Sequence, residues 1–279
     1  TYLIEAAELA TRLTEVSPTD FNAWNTLGIV QRERGLFGDA IAAGERAIAI
    51  SPDQFPAYIN LGRLYVATGD LESAALKLAR GTELGQARAG LMGWYNLAVI
   101  QHAMKDRTAG KTLAVAEDLL VNVPKYGPTH AARVHALRAM IALDDTGEAA
   151  GEDAYLSAAA ADRALGRKHE YPRVKRILAL TLLRKDTPDW VQALSVAEQA
   201  IESGDPIVSY PHLIAAIAAG RADQQERGRQ HLVDAVAQWP APSDSDYIIG
   251  RFMNSQYIWI DTRAELDELR KEAEALLPN

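Results

Sequence analysis

One passage of this chain is written twice. Trp24, Leu27, Gly28, Gly35 and Ala40 return as Tyr58, Leu61, Gly62, Gly69 and Ala74, 34 residues further on. Phe21 returns as Phe55, and Ser17-Pro18 as Ser51-Pro52, at the same spacing. A fixed period of this length argues against one closed core. It specifies a linear stack in which each unit buries its apolar face against its neighbours only.

Each period reads as two helices. Over Asn22–Arg34, Trp24, Leu27 and Val30 fall on one helical face, and Gly35 can end the helix at positive φ without Cβ strain. Phe37–Ile50 follows, with Ala40, Gly44 and Ala47 spaced by four and three, small enough for two antiparallel helices to approach closely. Ser51-Pro52 stops the pair, because a residue before proline is pushed out of the α region. Phe55–Thr68 and Leu71–Leu84 repeat the scheme. Gly93–Gln101 restores the aromatic and a Leu-small pair after a two-residue insertion, and Pro124 closes that unit. Beyond it, helix pairs are expected at Thr129–Leu143 with Glu148–Gly166, at Pro172–Lys185 with Pro188–Ser203, and at Ser209–Gly220 with Ala222–Trp239. Ser243–Tyr257 is expected to form a further helix, and Thr262-Arg-Ala-Glu265 opens a last one as a capping box, running to about Leu277.

Trp24, Leu27-Gly28, Ala40 and Pro52 meet the four signature positions of the tetratricopeptide repeat, which the chain therefore resembles. The resemblance is specific over about residues 1–101 and architectural beyond. It implies an all-α, right-handed α-solenoid of about six to seven helix-turn-helix repeats with a C-terminal capping helix. The repeats divide as a half repeat at 1–20, clear repeats at 21–54, 55–90 and 91–127, divergent repeats at 128–170, 171–207 and 208–242, and C-terminal helices at 243–279. Thr1–Val16 reads as the second helix of a pair whose first is missing, so a fragment or processed form of a longer protein is expected. Leu3, Leu9 and Leu13 give that half repeat an apolar face suited to self-association.

Composition removes several function classes. No apolar run approaches the roughly 18 to 20 residues that a membrane-spanning helix needs, so no membrane insertion is expected. A formal charge of −8 argues against a nucleic-acid role. There is no cysteine, so thiolate nucleophiles, disulfides and Cys-based zinc sites are excluded. No phosphate loop, Gly-x-Ser-x-Gly elbow or His-Glu-x-x-His is present, so neither an enzyme active site nor a cofactor is expected. His130 and His135 are five apart, about 140° around a helix, a poor ligand geometry, and no metal site is expected. Asp144-Asp145 beside Thr146-Gly147 reads as a turn that caps the following helix.

The polar residues of the first helices carry the functional reading. Asn60 and Asn96 each stand directly before the Leu of the Leu-small pair. This resembles the asparagine ladder in the superhelix of O-linked N-acetylglucosamine transferase, where successive amides hold the backbone of an extended peptide. An Asn amide offers a peptide unit both a donor and an acceptor. The resemblance implies a concave peptide groove lined by Asn22, Asn25, Asn60, Arg63, Tyr95, Asn96 and His102. The carboxylate clamp of chaperone-binding repeats is not matched, since its places hold Asn25, Ile29, Met92 and Asn96. From Arg163 to Lys185 there are eight Lys or Arg against one acid, Glu170, and Arg173, Arg176 and Arg184 are the candidates for a basic groove. The bland alternative is a solvated ridge.

The expected function is a scaffold that holds a partner protein or extended peptide. The alternative is a regulatory arm of a larger bacterial enzyme, such as a nucleotide cyclase or transferase, whose catalytic domain lies outside this chain. The sequence leaves the compartment open, with the cytoplasm favoured over the periplasm.

Overall fold

The computed structural model describes residues 2–123, 125–144, 150–165, 172–185, 187–239, 247–251 and 258–278. Pro124, the Asp145-Thr146-Gly147 turn, Arg167, Lys168, Glu170 and Ser243 lie outside the described residues. The chain divides into two compact units, Thr1–Leu119 with Ile249–Ile260, and Leu120–Ile248 with Asp261–Asn279.

The first unit is a run of helical hairpins. It holds α1 (Tyr2–Val16), α2 (Phe21–Glu33), α3 (Phe37–Ile50), α4 (Phe55–Thr68), α5 (Leu71–Gly85) and α6 (Gly90–Ala103). Helix α7 (Ala109–Asn122) belongs to it up to Leu119. Helices α2 and α3 pair, as do α4 and α5, and each second helix also packs on the first helix of the next pair. The boundaries fall within a residue or two of those read from the period. Asp20 caps α2 by accepting from the Asn22 N–H at 2.9 Å, and Asp70 caps α5 through the Ser73 N–H at 3.0 Å. Gly69 ends α4 at φ 82°, a left-handed cap that a Cβ would strain. The two-residue insertion before the third repeat is taken up by a 3-10 turn, Gln86–Ala89.

One device recurs at the start of α2, α4 and α6. The indole N–H of Trp24 donates to the Pro18 carbonyl at 2.9 Å, and the Tyr58 hydroxyl donates to that of Pro52 at 3.0 Å. The Trp94 indole donates to the Gln86 carbonyl at 3.2 Å. The aromatic ring fills the interface while its polar end ties the helix to the turn before it.

The second unit repeats the scheme with α8 (Pro128–Leu143), α9 (Ala150–Leu165), α10 (Pro172–Arg184), α11 (Trp190–Glu202), α12 (Ser209–Arg221), α13 (Gln225–Ala237) and α14 (Arg263–Leu276). Helices α8–α9, α10–α11 and α12–α13 pair, and α14 packs chiefly on α12. The amphipathic α14 buries Leu266, Leu269 and Ala273, and Leu277 beyond its end presses on Gly220 and Gly228. The expected helix over Ser243–Tyr257 is overturned at its described residues, Tyr247–Arg251. Tyr247–Arg251 is a strand that pairs with Ile258–Thr262 in a two-stranded sheet. Tyr247, Ile248 and Ile249 followed by Ile258, Trp259 and Ile260 are β-branched and aromatic runs, which the Ser-x-x-Asp start obscured. Among the described residues no helix is long and apolar enough to cross a membrane.

The period survives because small residues sit where helices touch. A Cβ on Gly62 would lie 2.6 Å from Leu78 Cγ and 3.2 Å from the Ala74 carbonyl oxygen. On Gly28 it would meet the Ala40 carbonyl oxygen at 3.2 Å. Gly62→Leu should therefore overpack the α4–α5 contact and cost about 1–3 kcal/mol. In a linear stack the loss stays near its own repeat, so hydrogen exchange should rise around α4 and α5. An equal rise in α12 and α13 would contradict that independence.

Candidate functional site

The first-helix face of the N-terminal repeats begins with Asn25 on α2 and Asn60 on α4. Both are half-buried, and the Asn60 Nδ2 donates to Asn25 Oδ1 at 3.1 Å across one repeat. A small cleft runs between them, lined also by Ile29, Arg32, Leu61 and Leu64. Asn22, one turn before Asn25, is exposed, while Arg63 beside Asn60 is buried.

The third repeat departs from the expected groove. Asn96 is 0% exposed, Tyr95 1% and His102 9%, so these three are interior residues rather than an open peptide surface. The reason lies in α6, Gly90–Ala103, which carries Leu91, Tyr95, Leu97, Val99 and Ile100 around its whole circumference. A helix without a polar face is buried on every side. The structure thus brings Asn25 and Asn60 together and places Asn96 in the core.

The basic groove is also corrected. Arg176 is 1% exposed and pairs with Asp205 at 3.3 Å, with its guanidinium 4.3 Å from the centroid of the Tyr210 ring. Asp205 in turn accepts from the Ile207 N–H at 2.9 Å. Arg173 is buried, and Arg184 on α10 forms an ion pair with Glu272 of α14. Arg176 and Arg184 are thus answered by carboxylates of the chain itself. Arg176 is interior because it belongs to a stretch, Arg176–Leu183, that is buried without a break. Lys175, on the other hand, forms an ion pair with Asp162 of α9 at 2.9 Å.

His130 caps its own helix, its Nδ1 accepting from the Gly127 N–H at 3.3 Å. Burial pushes its pKa below the ordinary value, and Arg133 nearby acts in the same direction. A constellation the sequence reading missed lies in the last hairpin. His212 on α12 faces His231 on α13, Nδ1 to Nδ1, at 3.1 Å, with Asp234 one turn further along α13. The two histidines stand 19 residues apart on different helices, so no local spacing rule finds them. The signal that could have found them is the pairing of first and second helices.

With this geometry in view, comparison with known proteins is informative. Solved structures define the fold first, a stack of helical hairpins. The chain is similar to a chain of the APC/C hetero-tetramer Cut9–Hcn1, with a TM-score of 0.67 and 12% identity over 97% of this chain. It spans 46% of that chain's length. It is similar to a tetratricopeptide repeat protein from Parabacteroides merdae, at a TM-score of 0.61 and 12% identity, over 97% of this chain and 92% of that one. Pseudomonas aeruginosa pilF follows at 0.60 and 15%, over 80% and 93%. At such identities the likeness is one of fold. Residues 31–90 match the family model described as Tetratricopeptide repeat, so the chain carries tetratricopeptide repeats in an α-solenoid of that type. No curated protein matches the chain.

Two pairs of exchanges separate interior from surface polar residues. Arg176→Ala strands the buried Asp205 carboxylate and should cost about 3–5 kcal/mol, whereas Arg184→Ala breaks a partly exposed pair worth about 0–1 kcal/mol. Asn96→Ala should cost about 1–3 kcal/mol, and Asn60→Ala less than that. Denaturant melts of the four variants check the ranking. A melt for Arg176→Ala as mild as that for Arg184→Ala would contradict the buried pair.

Proposed function

We propose that this chain is a protein-interaction scaffold, and that the first-helix face of its N-terminal repeats holds an extended segment of a partner. The observation that carries the reading is the Asn25–Asn60 pair, two half-buried amides one repeat apart and 3.1 Å from each other. Their mutual bond uses the donor of Asn60 and the acceptor of Asn25. An acceptor on Asn60 and a donor on Asn25 are left, the complement of one peptide unit. The exposed Asn22 extends the polar row by one turn. Support of a coarser kind comes from the fold, since the similar Cut9–Hcn1 chain is part of a hetero-tetramer.

The test selects extended peptides from a displayed library on the whole chain and titrates the winners by calorimetry. Each Asn–backbone pair contributes about 0.5–1.5 kcal/mol, so Asn25→Ala/Asn60→Ala should weaken binding roughly 5- to 150-fold. A melting curve for the double variant should stay near the parent, because both amides are half-exposed. Peptides that bind the double variant as well as the parent would remove the amides from the site.

A second contact surface is favoured by α1. It buries Ala7, Ala10 and Thr14, while Tyr2, Leu9, Leu13 and Val16 form an exposed apolar stripe on another face. That stripe is open to an apolar partner surface, and we propose that a second copy of this chain covers it, giving self-association. Sedimentation should show concentration-dependent dimers that Leu9→Glu/Leu13→Glu abolishes. A parent that stays monomeric at high micromolar concentration would refute the pairing.

A further inference from the structure

The hairpin formed by α12 and α13 contains a cluster that scaffold duty does not explain. His212 and His231 present their Nδ1 atoms to each other at 3.1 Å, with ring centroids 5.3 Å apart and a tilt of 50°. One ligating atom from each of His212, His231 and Asp234 lies within 4.8 Å of the other two. We propose that these three side chains bind a divalent metal ion of the zinc class, joining the two helices of the last hairpin.

Bond lengths fit. With Zn–N near 2.0–2.1 Å, two nitrogens of a tetrahedral site stand about 3.3 Å apart, close to the separation found here. The surroundings fit as well. The His231 Nε2 lies 3.2 Å from Glu198 Oε1 on α11, so the ring donates there and its Nδ1 keeps a bare lone pair directed at His212. A carboxylate behind a ligating imidazole fixes the tautomer and raises ligand basicity. Glu198 is itself held by both arms of Arg227, with Nε to Oε1 at 2.9 Å and the second amino group to Oε2 at 2.7 Å. Asp234 accepts from the Gln230 Nε2 at 3.0 Å, which orients the third ligand. His212 is buried, which disfavours a charged ring and favours the neutral imidazole that a metal needs.

The donor set selects the ion. Two imidazoles and one carboxylate suit zinc and its transition-metal neighbours, whereas magnesium and calcium prefer all-oxygen cages. Three protein ligands leave a fourth position for water or for a donor side chain from a bound partner. Without metal the two Nδ1 atoms, 3.1 Å apart, share one hydrogen bond.

The experiment titrates zinc chloride into the untagged, EDTA-stripped full chain by calorimetry and follows the melting temperature alongside. One equivalent should bind and raise the melting temperature, while magnesium does neither. His231→Ala should weaken zinc binding about 100-fold or more, and Glu198→Gln, which keeps shape and leaves all three ligands, about 10- to 100-fold. Circular dichroism checks that each variant is folded. Cobalt(II) substitution should give the intense visible bands of a four-coordinate site, lost in His231→Ala. Should His231→Ala prove unfolded, Glu198→Gln together with the cobalt spectrum decides. Zinc binding that is unchanged in His231→Ala or in Glu198→Gln, or absent from the parent, overturns the proposal.

Discussion

The close approach of paired helices at Gly28 and Gly62 is the contact on which the stack depends. At Gly62 an added carbon would fall 2.6 Å from Leu78, inside any tolerable distance, so the α4–α5 spacing is set by the absence of a side chain. The same logic operates at Gly81 against Ile59 and at Gly44 against Leu61. Each second helix meets its own partner and the next first helix through small residues, and the period in the sequence is the imprint of that requirement. Trp24, Tyr58 and Trp94 complete it by tying each first helix to the preceding turn through one bond from the ring's polar end. Packing and backbone satisfaction are therefore handled by the same residue in each repeat.

Burial of the first helices decides what their polar residues can do. Helices α6 and α12 are apolar around nearly their whole circumference, and α10 is buried without a break from Arg176 to Leu183, so polar side chains on these stretches are taken into the interior. Arg176 shows the consequence, since its charge is answered by Asp205 and by the face of Tyr210. An isolated guanidinium there would be prohibitive, and the pair is strained to lose either member. On α2 and α4 the arrangement differs, because Asn25 and Asn60 keep partial access to solvent. Access to solvent, not residue type alone, separates Asn25 and Asn60 from the fully buried Asn96.

Much of the helical architecture was legible in the sequence, for a physical reason. Capping residues, glycines and prolines act locally, and Gly69 and Ser51 each end a helix where the period implies, while Asp20 and Asp70 add caps that the period does not repeat. The legibility fails where structure depends on pairing at a distance. Tyr247–Arg251 and Ile258–Thr262 are stabilised as strands by each other, which a local helix-start pattern at Ser243 does not reveal. The arginines of α10 look like a basic stripe in one dimension, yet the carboxylates that answer them come from Asp205 and from Glu272 of α14. Helical phase placed Asn60 and Asn96 equivalently, and only the burial of α6 separates them.

The His212–His231 pair follows from the same geometry that makes the repeats. Facing positions on the two helices of a hairpin are brought close at every repeat, and elsewhere small or apolar residues occupy them. An imidazole at one such position would bury an unsatisfied nitrogen, which favours a second imidazole opposite and a carboxylate behind it. Glu198 comes from α11, the second helix of the preceding pair, so the cluster joins three successive helices rather than two. Its rigidity is supplied by the array, and its chemistry by His212, His231 and Asp234 with Glu198 behind them. A repeat that departs from the signature can thus carry a polar cluster while keeping the helix spacing of the stack.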